Sequence, residues 1–317
     1  MKVIDHLQKS DRTLFSFEIL PPLKGKDIRS IYAGIDPLME FKPSFVNVTY
    51  HREEVIYKER GQGLLQKIRL RKRPGTVGIC AMIKAKYDVD TVPHLICGGF
   101  SREDTEDALI ELNFLGIDNV LALRWDPIKS EPHFIPERLG HAHAEELIRQ
   151  IAGLNKGHYL YDEELEAAPT NLCVGAACYP EKHAEALNPG TDLAYLKRKV
   201  EAGAEYLVTQ MFFDNARYFD FVDRCRKEGI NVPIIPGLKP LTNFRHISFI
   251  PKTFNIDLPE EFSRELEKCK TDDDVKAVGI AWTTQQAKEL QAKKVPSLHF
   301  YTMGRSEAVR TIASQLF

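Results

Sequence analysis

The sequence predicts a parallel α/β protein of the (β/α)8 TIM-barrel class, and three observations predict it. Short apolar runs alternate with amphipathic stretches along all 317 residues. Eight of those runs are mostly continuous rather than alternating, as strands covered on both faces are. Glycines also end helix patterns within a few residues of the next run, the joint expected of a short αβ loop.

The strand candidates, in order, are FSFEIL at 15–20, FVNVTY at 45–50, TVPHLIC at 91–97 and NVLALR at 119–124. They continue with NLCVGAAC at 171–178, YLVTQM at 206–211, PIIPGL at 233–238 and LHFYTM at 298–303. VGICAMI at 77–83 could be a ninth strand. We read it as helix, because Pro74 suits a helix start and Val77, Cys80, Ile83 and Tyr87 share one face. Gly116, Gly203 and Gly229 are the helix-ending glycines. Ser101 with Asp104 forms a capping-box pattern, and Asp214 precedes Tyr218, Phe221, Val222 and Cys225 at helical spacing.

Eight strands each followed by a helix close as a barrel, expected here as one catalytic domain over 1–317. A two-domain split is the runner-up, but no Pro/Gly/Ser linker divides the chain. Residues 51–73, 125–170 and 239–297 are long for loop-plus-helix units and read as insert-like loops. The first two follow strand ends, on the face where barrel active sites are built. The basic run at 69–73 reads as a solvated helix face rather than an RNA patch.

Forty-three basic and 45 acidic residues give a formal charge of −2, so no global field attracts nucleic acid or an anionic membrane. At 43% apolar residues the chain can bury a sizeable core, which excludes disorder. No apolar stretch approaches the length of a membrane span, and MKVIDHLQKSDRT lacks a signal-peptide core. The six cysteines form no CxxC pair, and four lie in apolar runs where a thiol acts as a small hydrophobe. A reducing cytoplasm is the expected location, with no zinc site.

No GxGxxG follows a strand and no GxxxxGK[ST] occurs, so a Rossmann site and a P-loop are both disfavoured. A nucleotide cofactor would have to lie in the barrel mouth. Glu18 stands inside an apolar strand just before Pro21 and Pro22. A carboxylate there loses solvation, so its pKa should rise, and it could stay protonated near neutrality and serve as an acid. The bland alternative is a buried ion pair. Asp126 directly follows the fourth strand, where a site acid or a helix cap would stand. Thr49 and Gln210 end strands with neutral hydrogen-bonding groups. His94, within a strand, and His183, after the fifth, read as structural histidines or ligand contacts. His141 and His143 read as surface histidines, and no nucleophile elbow supports Ser/His/Asp catalysis.

FSFEILPP, FVNVTY, VPHLIC, LALRWD, AACYPEKH, TDLAYLKRKVEAGA, TQMFFD, PGLKPLTNF and HFYTMGR occur in that order. Together they resemble the flavin-dependent methylenetetrahydrofolate reductases of bacteria, from about Phe15 to Phe317. The resemblance implies a barrel that binds FAD, takes hydride from NADH or NADPH, and reduces 5,10-methylenetetrahydrofolate to 5-methyltetrahydrofolate in one-carbon and methionine metabolism. It makes Glu18 the acid that assists opening of the folate five-membered ring, and Asp126 the acid near the flavin pyrimidine edge and folate. It makes Gln210 and Arg305 folate contacts. Thr49, His94, Arg124, Tyr179, His183, Asp192 and Lys199 become FAD contacts, and Asp192 and Lys199 are seven apart on one helix face.

The residue types suit those roles. A carboxylate such as Asp126 would stabilise a cationic iminium and lower the potential of the flavin beside it. Arg305 could grip the glutamate tail of folate.

The sequence departs from the family pattern at four points. Trp125 stands beside the flavin where Gly is common, His51 follows Thr49-Tyr50 where Gly is frequent, and His246 stands where a Gln often contacts folate. The loops at 51–73 and 125–170 are longer than in compact bacterial members. These bear on nicotinamide access and oligomer contacts more than on the flavin site. The regulatory C-terminal domain of animal members is not expected, and a homo-oligomer is left open. Two readings compete with the reductase: a flavin- or folate-binding subunit of a larger assembly with impaired nicotinamide use, and another flavin barrel oxidoreductase, such as one acting on proline.

Overall fold

The structure, a computed structural model, describes residues 1–124, 133–161 and 167–317. Its framework strands are β1 (Leu14–Ile19), β2 (Phe45–Val48), β5 (Asp90–Ile96), β6 (Asn119–Leu123), β7 (Cys173–Cys178), β8 (Tyr206–Thr209), β9 (Ile234–Ile235), β10 (Gly237–Leu238) and β11 (Ser297–Tyr301). Between β2 and β5, β3 (Glu54–Glu59) and β4 (Leu65–Leu70) form a separate antiparallel hairpin.

The framework strands are parallel and bonded in the order β10-β11-β1-β2-β5-β6-β7-β8-β9. Only Pro236 separates β9 from β10. β9 bonds to β8 while β10 bonds to β11, so the ring closes through this one split strand. Proline has no N–H to continue a ladder. Its carbonyl still accepts from His299 N–H at 3.0 Å, which hands the strand from one neighbour to the other. All eight strand runs read from the sequence are therefore strands, the seventh in two pieces, and the fold is a (β/α)8 barrel.

The barrel interior holds Phe45, Val92, Leu121, Cys173, Tyr206, Val208 and Ile235. Tyr206 is wholly buried. A Cβ on Gly175 would sit 2.4 Å from its ring, so glycine at that position makes room for it. Helix α1 (Val3–Lys9) closes the bottom of the barrel, with Val3 in the same interior cluster. Val3 N–H donates to Asn119 Oδ1 at 2.7 Å. Asp90 takes the N-terminal ammonium and His6, each at 2.7 Å.

The outer layer consists of α2 (Arg29–Ile35), α3 (Thr76–Tyr87), α4 (Arg102–Phe114), α5 (Ala144–Leu154), α6 (Pro189–Glu201), α7 (Asn215–Lys227), α8 (Phe244–Phe254), α9 (Glu260–Glu267), α10 (Asp272–Ala292) and α11 (Glu307–Ala313), with a short 3-10 helix at Asp36–Phe41. The main core lies between these helices and the outward faces of the strands. A second cluster, built on Phe213, Phe262 and Leu266, lies beneath α8, α9 and α10. Gly279 of α10 lies against Leu241, whose carbonyl oxygen is 2.0 Å from where a Cβ would be.

The local signals hold. Ser101 Oγ accepts from Asp104 N–H, Asp214 Oδ1 accepts from Ala216 N–H, and Gly116, Gly203 and Gly229 all have positive φ. Residues 77–83 are helical, as expected, although α3 begins at Thr76 and Pro74 precedes its Gly75 cap.

Two expectations fail. The basic run at 69–73 starts at the end of strand β4 and continues into the connection to α3 rather than lying on a helix, because Gly61, Gln62 and Gly63, all at positive φ, turn the chain back into a hairpin. His141 is not a surface residue. It is buried and bonded to Gln150 at 2.6 Å, while His143, at the N-cap of α5, is exposed as expected. All six cysteines are free and five are buried. No helix among the described residues is long and apolar enough to cross a membrane.

Candidate active site

In parallel strands, paired residues project to the same side of the sheet. Glu18 pairs with Asn47 on one side and Tyr301 on the other. Near the carboxyl ends of their strands, these three thus form one inward-facing layer above the apolar interior. Such a layer lines the face that hosts barrel active sites.

Glu18 is the centre of this layer. Its Oε2 lies 3.5 Å from His94 Nε2, and the same nitrogen is 3.3 Å from Asn47 Nδ2. Burial pushes the Glu18 carboxyl up to about 8, against the opposing pull of Lys239. At neutral pH it is a carboxylic acid. Burial also takes His94 down to about 3, with His299 and His51 adding to the effect, so the imidazole is neutral. Tyr301 Oη donates to Thr209 O at 2.6 Å, across the space left by Gly237.

A second group lies at the adjacent ends of β6 and β7. Arg124 pairs with Glu185, and its guanidinium carbon is 5.2 Å from the Phe134 ring centre. The Tyr179 and His183 rings meet edge to face at 4.7 Å. His183 N–H donates to Asp192 Oδ2 at 3.0 Å. Its Nδ1 accepts from Glu185 N–H, and burial lowers its basicity, so this histidine too is neutral. Lys199 Nζ donates to Ala177 O at 2.9 Å and sits 5.9 Å from the Tyr179 ring, its basicity lowered by burial. Arg124, Tyr179, His183, Asp192 and Lys199, scattered over 76 sequence positions, therefore form one cluster.

The remaining expected residues divide. Thr49, after β2, is buried and its hydroxyl has no partner among the described residues. Gln210, after β8, accepts from Met211 N–H through Oε1, which leaves its amide nitrogen for a ligand. His246 Nδ1 accepts from Thr242 N–H at 3.2 Å. Burial takes this ring down to about 4, with the positive charges of Lys239 and Arg305 adding to the effect. Arg305 is exposed and joins the site only through that charge. Trp125 and Asp126 lie outside the described residues.

Sequence reasoning missed Lys239. It stands at a strand end inside the quoted PGLKPLTNF run, and a lysine there was the available signal. Asn47, in the middle of FVNVTY, was a second one: a polar residue at an inward position. The hairpin was also missed. Its face carrying Tyr57, Lys67 and Arg69 lines a cleft of about 1050 Å³ against α3 and α4. No group of three or more His, Cys, Asp or Glu gathers as metal ligands do among the described residues.

A family model described as methylenetetrahydrofolate reductase matches residues 2–317. The chain belongs to that family. The 5,10-methylenetetrahydrofolate reductase of Salmonella typhimurium is 32% identical over 302 residues, covering 95% of this chain and 90% of that protein. Methylenetetrahydrofolate reductase (NADH) 1 of Arabidopsis thaliana is 32% identical over 96% of this chain but only 48% of its own length. The chain thus spans about half the length of such plant relatives. A Clostridium thermocellum protein that binds two copies of 5-methyl-5,6,7,8-tetrahydrofolic acid shares the fold. It has a TM-score of 0.56 at 12% identity, over 98% of this chain and 96% of that one. A 2,3-dimethylmalate lyase does so at a TM-score of 0.51 and 8% identity, over 98% of this chain and 81% of that one. At these identities, both likenesses concern the fold alone.

Proposed function

We propose that this reductase-family chain converts 5,10-methylenetetrahydrofolate to 5-methyltetrahydrofolate, using NADH or NADPH through bound FAD. One observation carries the reading: a buried Glu18, protonated at neutral pH, stands at the centre of the barrel mouth. Opening the folate five-membered ring needs a proton at the departing nitrogen, and a carboxylic acid with pKa near the working pH supplies it best.

The residues present suit FAD. Thr49 Oγ1 and His94 Nδ1 are buried polar atoms without partners among the described residues. Such atoms are costly unless a ligand satisfies them. On the neighbouring strand ends, the cationic groups of Arg124 and Lys199 with the rings of Tyr179 and His183 suit a dinucleotide's phosphates and flat ring systems. FAD, when bound, supplies reversible hydride chemistry between nicotinamide and folate.

The chain's own work is then positioning and proton handling. Glu18 holds a proton at its carboxyl, and neutral His94 beside it accepts without competing as a cation. Gln210 offers an amide N–H to the pterin, and Arg305 a guanidinium to the acidic tail. Asp126 would favour the cationic iminium by its charge.

Anaerobic titration of the purified protein with each nicotinamide, followed by the folate, tests this. The expected result is a yellow protein that is bleached by one or both nicotinamides and recolours with methylenetetrahydrofolate. A colourless protein that takes up no FAD refutes the reading. Bleaching by dithionite alone points to a subunit with impaired nicotinamide use. Failure of the folate to restore the colour points to another flavin oxidoreductase.

A further inference from the structure

Lys239 is buried at the barrel mouth, 6% exposed, and no role above uses it. It directly follows β10, whose Gly237 and Leu238 pair with His299 and Phe300. One more step in that register sets Lys239 beside Tyr301, and Tyr301 pairs with Glu18. Lys239, Tyr301, Glu18 and Asn47 consequently occupy one inward-facing layer. Gly237, one layer below Lys239, leaves the space that the Tyr301 ring fills. Among the described residues the Lys239 ammonium has no hydrogen bond or ion pair, and the charge that acts on it is that of Glu18.

We propose that Lys239 is a positioning residue for Glu18, its ammonium facing the carboxyl and stabilising the carboxylate formed each time Glu18 gives up its proton. The inference rests on the reading of Glu18 as the ring-opening acid. As the C–N bond of the folate ring breaks, its electron pair goes to nitrogen, nitrogen takes the Glu18 proton, and the carbon becomes an iminium. A bare carboxylate is left in a dry site, where an unpaired anion is costly and a nearby fixed cation lowers that cost.

The other groups around the pair do not supply that charge. His94 from β5 is neutral, Asn47 from β2 is uncharged, and the Tyr301 phenol from β11 is pushed well up by burial and Glu18. His246 from α8 is held neutral, in part by Lys239 itself. Burial brings Lys239 down to about 8, and Glu18 opposes that fall, so both groups hold their protons at pH 7: a neutral acid beside an ammonium.

Lys239→Met keeps the unbranched stem and removes the charge. The carbonyl stretch of the protonated Glu18, assigned by its loss in Glu18→Gln, is followed by infrared difference spectroscopy across pH. It should titrate near 8 in the native protein and about one pH unit higher in Lys239→Met. Lys239→Arg should return it towards the native value. In stopped-flow mixing of reduced enzyme with methylenetetrahydrofolate at pH 7, Lys239→Met should be slower by roughly tenfold to a hundredfold. An unmoved infrared titration in a Lys239→Met protein with a native circular-dichroism spectrum overturns the proposal. If Lys239→Met does not fold, Lys239→Gln takes its place in the same comparison. If the native protein does not reduce the folate, the assigned reaction falls, while the infrared comparison still decides whether Lys239 sets the Glu18 proton.

Discussion

Replacing Glu18 with glutamine tests the centre of the site with minimal change in shape. With its carboxyl raised to about 8, Glu18 is protonated roughly ten to one at pH 7. A positioned general acid contributes roughly 10²–10⁴-fold, or about 3–5 kcal/mol of barrier. Glu18→Gln should therefore slow folate reduction by that factor, measured as flavin reoxidation in anaerobic stopped flow. Flavin reduction by the nicotinamide should stay within about threefold of native, because that half-reaction has no use for this proton. The native reoxidation rate should fall as pH rises past about 8, and the glutamine variant should lose that decline. Stability offers an independent reading. A carboxyl whose folded pKa is raised contributes stability that is full below its ordinary value of 4.5 and is lost as pH rises towards about 8. Over that window the native protein should lose up to about 1.4 kcal/mol per pH unit relative to Glu18→Gln in urea denaturation. Equal loss of both half-reactions, or identical pH slopes of stability, would show that Glu18 is a structural residue and refute the reasoning.

Three further perturbations probe other levels of the molecule. Lys199→Met removes the buried ammonium that bonds Ala177 O and should weaken FAD binding roughly tenfold to a hundredfold in a fluorescence titration; unchanged affinity would remove Lys199 from the cofactor site. Asp90, held down to about 2 mainly by its hydrogen bonds to His6 and the N-terminus against the opposing pull of burial, anchors α1 beneath the barrel. Its contribution is present above 3.8 and is lost as pH falls through about 2. Asp90→Asn should thus cost about 1–2 kcal/mol at pH 7, a cost that shrinks below 3.8 and vanishes only once the pH is well below about 2, by urea denaturation. Gly175→Val forces a side chain into the Tyr206 ring and should cost about 1–3 kcal/mol or prevent folding, with a native melting temperature as the contrary result.

Much of the architecture was legible because its signals are local. Continuous apolar runs mark strands covered on both faces, and all eight are strands. Ser101, Asp214 and the glycines at 116, 203 and 229 do their work within one helical turn of themselves. The hairpin at 54–70 was not legible in the same way. Its strands are almost wholly exposed, so they lack the continuous apolar signature, and only the Gly61-Gln62-Gly63 turn hinted at them. His141 was misread because its burial and its bond to Gln150 depend on how the segment before α5 packs.

The same division runs through the site. Glu18 could be singled out because an acid inside an apolar strand is anomalous wherever that strand goes. Local pattern alone thus located the eight strand runs, a few helix ends and the acid within the first strand. Which groups surround that acid was decided only by closure of the ring. Pro236 splits the seventh strand, β10 comes to lie beside β11, and Lys239 arrives two strands from a glutamate that is 221 residues earlier in the chain. Burial, neutral histidines and the lowered basicity of a lysine are properties of desolvation by distant parts of the chain, and no local pattern encodes them.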